Sequence, residues 1–91
     1  MSLNLGKKAK LDNRNYDRAL FARLKKLRKA IAEEDQVPPF VVFSDMTLSH
    51  MAEKLPTNSA QMLEVSGVGQ TKLARYGEPF LNAIKDYLAG E

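Results

Sequence analysis

The sequence predicts an all-α fold, a compact bundle of five helices with one long first helix and four shorter ones. Three observations predict it. From Tyr16 to Glu34 apolar residues recur at the spacing of one face of a 3.6-residue helix, over a length that suits the spine of a small domain. The strand-like run from Val37 to Phe43 contains Pro38 and Pro39, and the chain holds no second candidate strand to pair with it. From Ser44 to Gly90, helix-start and helix-stop residues follow one another at short intervals.

Residues 1–15, MSLNLGKKAKLDNRN, lack periodicity and are polar and basic. They read as a flexible linker with cloning-derived residues at its start, and the helical domain occupies 16–91. The first helix follows, with Leu20, Phe21, Leu24, Leu27 and Ile31 on one face and Asp17 as its cap. At about 100° per residue, Arg18, Lys25 and Lys29 fall on the opposite side as one stripe, with Arg23, Lys26 and Arg28 along the flanks. Glu33 and Glu34 occupy the last turn, where the helix dipole favours cations.

Pro38 and Pro39 stop this helix and push Val37 to an extended conformation. Val37 to Phe43 is then an apolar connector with room for one helical turn, some of whose side chains plug gaps between helices. Ser44 or Asp45 caps a second helix with Leu48, Met51, Ala52 and Leu55 inward, stopped by Pro56. Thr57 or Asn58 caps a short third helix that turns Met62, Leu63 and Val65 inward. Gly67-Val68-Gly69 makes a tight turn into a fourth, Thr71 to Tyr76, with Gly77 as its C-terminal cap. Pro79 at a first helical position opens the fifth, which carries Phe80, Leu81, Ile84, Tyr87 and Leu88 on one face and stops at Gly90.

Ninety-one residues make one domain, and 44% apolar content must supply its core without help from disulfides, because there is no cysteine. No apolar run approaches the ~20 residues that span a bilayer, and no signal peptide opens the chain. The lack of cysteine favours a reducing compartment, the cytoplasm. The net charge of +3 divides unevenly, as +8 over residues 1–32 and −5 over residues 33–91. Such a dipole suits an anionic partner on the first-helix side, or docking of the acidic remainder on a basic neighbour; a solvated helix face plus a basic tail explains the charges equally well.

His50 stands alone, and no cysteine, P-loop or nucleophile–base spacing accompanies it, so neither a metal site nor a catalytic residue is expected. The Gly67-Val68-Gly69 turn resembles the hairpin of helix-hairpin-helix modules, where glycines let backbone N–H groups approach a phosphate and where Lys72 and Arg75 would flank it. Equally, Val68 can plug the core while the glycines merely permit the turn.

Taken together, YDRALFARLKKLRKAIA, VPPFVVFSDMTLSHMAEKLP and MLEVSGVGQTKLARYGEPFLNAI resemble the HRDC domain, in the form found at the C-terminus of bacterial RecQ DNA helicases. The resemblance covers Tyr16 to about Leu88. It implies a five-helix bundle that serves a helicase motor as a non-catalytic accessory, binding single-stranded or junction DNA in repair and recombination. It further implies a monomer in the bacterial cytoplasm, associated with the nucleoid, with ATP and Mg confined to the parent's motor core and no cofactor in this piece.

In the family the single-strand surface uses basic residues near the first helix and the aromatic after the two prolines, here Phe40 where close bacterial relatives carry Tyr. Phenylalanine keeps the π-face on which a base stacks, worth about 1–3 kcal/mol per base, but loses the hydroxyl. The expected nucleic-acid contacts are Arg18, Lys25, Lys26, Lys29, Phe40, Lys72 and Arg75, with backbone phosphate contacts at Gly67 and Gly69. Two other readings belong to the same resemblance. One is a protein-interaction or autoregulatory module whose acidic side, including Glu64, Glu78 and Asp86, docks on the helicase core; the other is an RNA-binding module of an RNase D-like nuclease.

Overall fold

Asp17 opens the first helix of the computed structural model, which describes residues 16–90. Its carboxylate accepts the N–H of Leu20 at 3.0 Å, so the cap expected from the sequence is in place. Helix α1 (Arg18–Asp35) ends where Gln36 turns left-handed at φ 60° and its N–H returns to the carbonyls of Ala32 and Glu33. Leu20, Leu24 and Ala32 are buried, with Phe21, Leu27 and Ile31 half-buried on the same side. No base lies in the last turn of α1, as the sequence indicates. The linker expected over residues 1–15 lies outside the described residues.

The connector forms one turn, α2 (Pro39–Val42), with Pro39 at its start. It divides its apolar residues cleanly. Val42 and Phe43 are fully buried, whereas Phe40 and Val41 face solvent. Ser44, not Asp45, caps α3 (Asp45–Lys54) by accepting the N–H of Thr47 at 3.2 Å. Asn58 caps α4 (Ser59–Leu63) through the N–H of Gln61 at 2.8 Å. Met62 and Val65 point inward, but Leu63, expected to join them, is exposed, because so short a helix has only a narrow face against the core.

The remainder is one helix, α5 (Gln70–Leu88), 19 residues long and so longer than the 18-residue α1. The class and the count of five agree with the sequence, but the division does not: the connector supplies one helix, and the two expected after Gly69 are fused. Gly77 does not cap a helix. It is buried within α5 without positive φ, and a Cβ there would come 2.5 Å from Cδ1 of Leu73. Its small size, not its backbone freedom, is what the packing uses. Pro79 lies inside the helix, where its ring forfeits the bond to the carbonyl of Arg75. Tyr76, Phe80, Leu81 and Ile84 share one buried face across the proline, and their burial holds both halves in register.

That forfeited bond gives an expected result. Pro79 is exposed, so Pro79→Ala restores a helical hydrogen bond without touching the core. Stability should rise by about 1–2 kcal/mol, less than the full ~3 kcal/mol proline penalty because alanine also frees the unfolded chain. The midpoint of urea unfolding checks it, and a lower midpoint would mean that α5 depends on the proline.

The core is built on Phe43. Its ring meets Phe80 edge-on at 5.0 Å and Tyr76 at 6.1 Å, joining the end of α2 to the middle of α5. Leu20, Leu24, Leu48, Met51, Met62 and Ile84 fill the space around it. The turn before α5 is held by packing as well: Gly67 has φ 89°, Val68 is buried, and a Cβ on Gly67 would collide with Oγ1 of Thr47.

The two chain ends of the bundle are clasped by Tyr87, whose hydroxyl donates to both carboxylate oxygens of Asp17 at 2.8 Å. The Leu20 N–H, then Tyr87, hold the Asp17 carboxyl below the usual carboxylate range, while donation to that carboxylate pushes the Tyr87 hydroxyl up. A lowered Asp17 favours folding above its unfolded value of 3.8 and loses that contribution as pH falls below it. A raised Tyr87 favours folding below its ordinary value of 10.0 and loses that contribution as pH rises through its folded value. The stability gap between wild type and Tyr87→Phe should therefore be flat between about pH 5 and 9 and shrink outside it, which thermal melts across pH measure.

Candidate nucleic-acid interface

The outer face of α1 is a strip of positive charge. Arg18, Lys25, Lys26 and Lys29 are all exposed, and among the described residues none of the four pairs with a carboxylate. Aromatic side chains steady two of them: Arg18 lies 5.3 Å from the ring centre of Tyr16 and Lys25 lies 5.3 Å from that of Phe21. Both rings also pack against the core, so the same residues that seat α1 hold two of its charges.

Beside the strip runs a groove of about 630 Å³, rimmed by Lys25, Lys26 and Lys29 and floored by Ala22, Ala32, Val37 and Pro39, with Arg28 and Glu33 also on its lining. It exists because α1 carries alanines at 22 and 32 where the connector folds back, Val37 N–H bonding the carbonyl of Ala32 at 3.0 Å. Phe40 follows the groove-lining Pro39 in the chain and is 68% exposed. Phe40 therefore does not plug a gap between helices, as some side chains of the connector are expected to do. The core plug is Phe43, three residues on.

The remaining expected contacts lie elsewhere. Lys72 is half-buried, 5.9 Å from the ring centre of Phe43. Arg75 is exposed but 3.9 Å from Asp35, at the C-terminal end of α1, and 5.6 Å from the ring centre of Tyr76. Neither lines the groove. Gly67 is committed to packing against Thr47, whereas Gly69 begins α5 with open space around it and no side-chain cap. The structure therefore gathers Lys25, Lys26 and Lys29 around one groove that Pro39 also lines, with Phe40 exposed on the next residue of the chain and Arg18 further along the same strip, and leaves Lys72, Arg75, Gly67 and Gly69 off that groove.

Arg28 differs from the other cations of α1. Expected from the sequence to be a flanking surface cation, it is only 11% exposed; its Nη2 meets Oδ1 of Asp45 at 2.8 Å and its Nη1 donates to the Phe43 carbonyl at 2.8 Å. Its position carried a signal, because Leu24, Ile31 and Ala32 at i−4, i+3 and i+4 all belong to the inner side.

With this geometry in hand, residues 17–84 match the profile of the HRDC domain. The chain belongs to the HRDC family. It is 49% identical over 75 residues to the ATP-dependent DNA helicase RecQ of Haemophilus influenzae, covering 82% of this chain and 12% of that protein. It is 53% identical over 68 residues to RecQ of Bacillus subtilis, covering 75% and 12%, and 41% identical over 71 residues to the helicase UvrD2 of Mycobacterium tuberculosis, covering 78% and 10%. Among solved structures, HRDC domain 3 of D. radiodurans RecQ superposes with a TM-score of 0.73 at 36% identity, over 76% of this chain and 91% of that one. The chain thus spans about an eighth of the length of the curated RecQ relatives.

An HRDC domain is an accessory, non-catalytic unit. Among the described residues of this HRDC chain no three His, Cys, Asp or Glu side chains gather as metal ligands, and no helix is long and apolar enough to cross a membrane. His50 lies half-buried on α3.

Proposed function

We propose that this HRDC domain is the single-stranded DNA-binding accessory of a RecQ-type helicase acting in DNA repair and recombination, with weak and largely sequence-independent affinity. One observation carries the reading: three exposed lysines of α1, none paired with a carboxylate among the described residues, line one groove with Pro39, and the next residue, Phe40, presents a ring that is 68% exposed. Lysines neutralise phosphates of any sequence, and a π-face accepts any base. Arg18, Lys25, Lys26 and Lys29 take the backbone, and Phe40 takes a base. Lys72, Arg75 and the open start of α5 at Gly69 form a secondary phosphate site, with Gly67 acting through the turn it permits. An unpaired strand emerging from a junction satisfies the same surface. The domain works as a monomer in the bacterial cytoplasm, beside the chromosome, while ATP and Mg serve the motor elsewhere in the parent.

Fluorescence anisotropy with a short oligothymidylate at several salt concentrations tests this. Three or four neutralised phosphates give a slope of log affinity on log salt of about −2 to −3, at roughly −0.7 per contact. Binding that is absent at low salt, or indifferent to salt, refutes the reading.

A further inference from the structure

We infer that Arg28 is a positioning residue of this interface: it fixes the pose of α2, and with it Phe40, and is not itself a phosphate ligand. The inference rests on the single-strand reading above. Helix α2 is four residues long, has no side-chain cap, and cannot hold its shape alone. It ends in Phe43, which leaves the helix at φ −152°, so the Phe43 carbonyl lacks a helical partner. Arg28 supplies the partner from α1 and with its other terminal nitrogen grips Asp45, the first residue of α3. One planar guanidinium therefore spans the link between α2 and α3, a two-pronged grip that lysine cannot copy.

The same contacts remove Arg28 from the cationic strip. Asp45 neutralises it, and its Nε is buried with no acceptor, out of reach of any strand. Of the four cations lining the groove, Lys25, Lys26 and Lys29 keep their charge for a ligand, while that of Arg28 is spent inside the molecule.

The test combines NMR amide exchange with oligothymidylate titrations of the whole chain. In Arg28→Gln, exchange of the Val41 amide, which bonds the Pro38 carbonyl at 3.0 Å, should accelerate at least about tenfold while Ile84 in α5 is unchanged. Affinity should fall about threefold to tenfold with the salt slope unaltered, and Arg28→Lys should not restore it. In a Phe40→Ala background the Arg28→Gln change should cost no further affinity, because the arginine acts through that ring. A slope shallower by about 0.7 makes Arg28 a phosphate ligand and overturns the inference. So does unchanged exchange at Val41, or full additivity with Phe40→Ala. Should Arg28→Gln fail to fold, Asp45→Asn removes one prong alone and must accelerate Val41 in the same sense; no acceleration overturns the inference. If wild type binds no oligonucleotide at low salt, the single-strand reading falls by itself, and Val41 exchange still decides whether Arg28 sets α2.

Discussion

Phe43→Ala is expected to cost about 3–5 kcal/mol of folding stability, a large fraction of the roughly 5–10 kcal/mol that a domain of this size holds. Phe43 is fully buried and meets the rings of Tyr76 and Phe80 edge-on, so truncation leaves a cavity between α2 and α5 that their backbones cannot close. The loss reaches the proposed site, because Phe43 is the anchor from which α2 holds Phe40 outward and against which Lys72 rests. Val41→Ala, two residues away and exposed, should change stability by no more than about 0.5 kcal/mol. Urea unfolding of the pair measures both. Similar midpoints for the two variants would mean that the connector is not anchored at Phe43.

Reversing two charges in the double variant Lys25→Glu and Lys29→Glu should leave the fold intact and reduce single-stranded DNA affinity at least about tenfold at low salt, with the salt slope shallower by roughly 1.4. Both lysines stand on the outer stripe of α1, exposed, with no carboxylate partner among the described residues whose loss would disturb packing. Two phosphate contacts at about 0.7 each account for the slope. Lys85→Glu supplies the control, since Lys85 lies on a cleft between α4 and α5, far along the chain from the strip, and should alter neither quantity appreciably. Anisotropy titrations read both. The same variants separate DNA binding from docking on a helicase core: a docking surface built on Glu64, Glu78 and Asp86 predicts that the lysine reversal leaves association with the separated core nearly unchanged.

Much of this architecture was legible because it rests on local rules. The stripe from Leu20 to Ile31, the cap at Asp17 and the cap at Asn58 each follow from spacing and side-chain chemistry within a few residues. What was not legible depends on residues far apart in sequence. Gly77 and Pro79 both signal a helix boundary locally, yet α5 runs through them, since burying Tyr76, Phe80 and Ile84 on one face outweighs a single missing hydrogen bond. Phe40 and Phe43 have similar local surroundings, and only the packing of Phe43 on Tyr76 and Phe80 decides which ring turns inward.

The candidate site divides in the same way. The row of Arg18, Lys25 and Lys29 is a property of one helix and could be drawn from helical geometry. Arg28, on the flank of that helix, is drawn inward by Asp45 and the Phe43 carbonyl, partners 17 and 15 residues away that no periodicity announces. The groove floor is equally tertiary: Ala22 and Ala32 acquire meaning only once Val37 and Pro39 fold back against them.

A chemical-shift perturbation map with a short oligothymidylate tests the central claim most directly, because it locates the surface as well as detecting the ligand. Shifts are expected to concentrate on the outer face of α1 from Arg18 to Lys29 and on Val37 to Val41, with weaker ones at the start of α5. Shifts centred instead on α4 and the later turns of α5, with the groove between α1 and α2 silent, would contradict the claim.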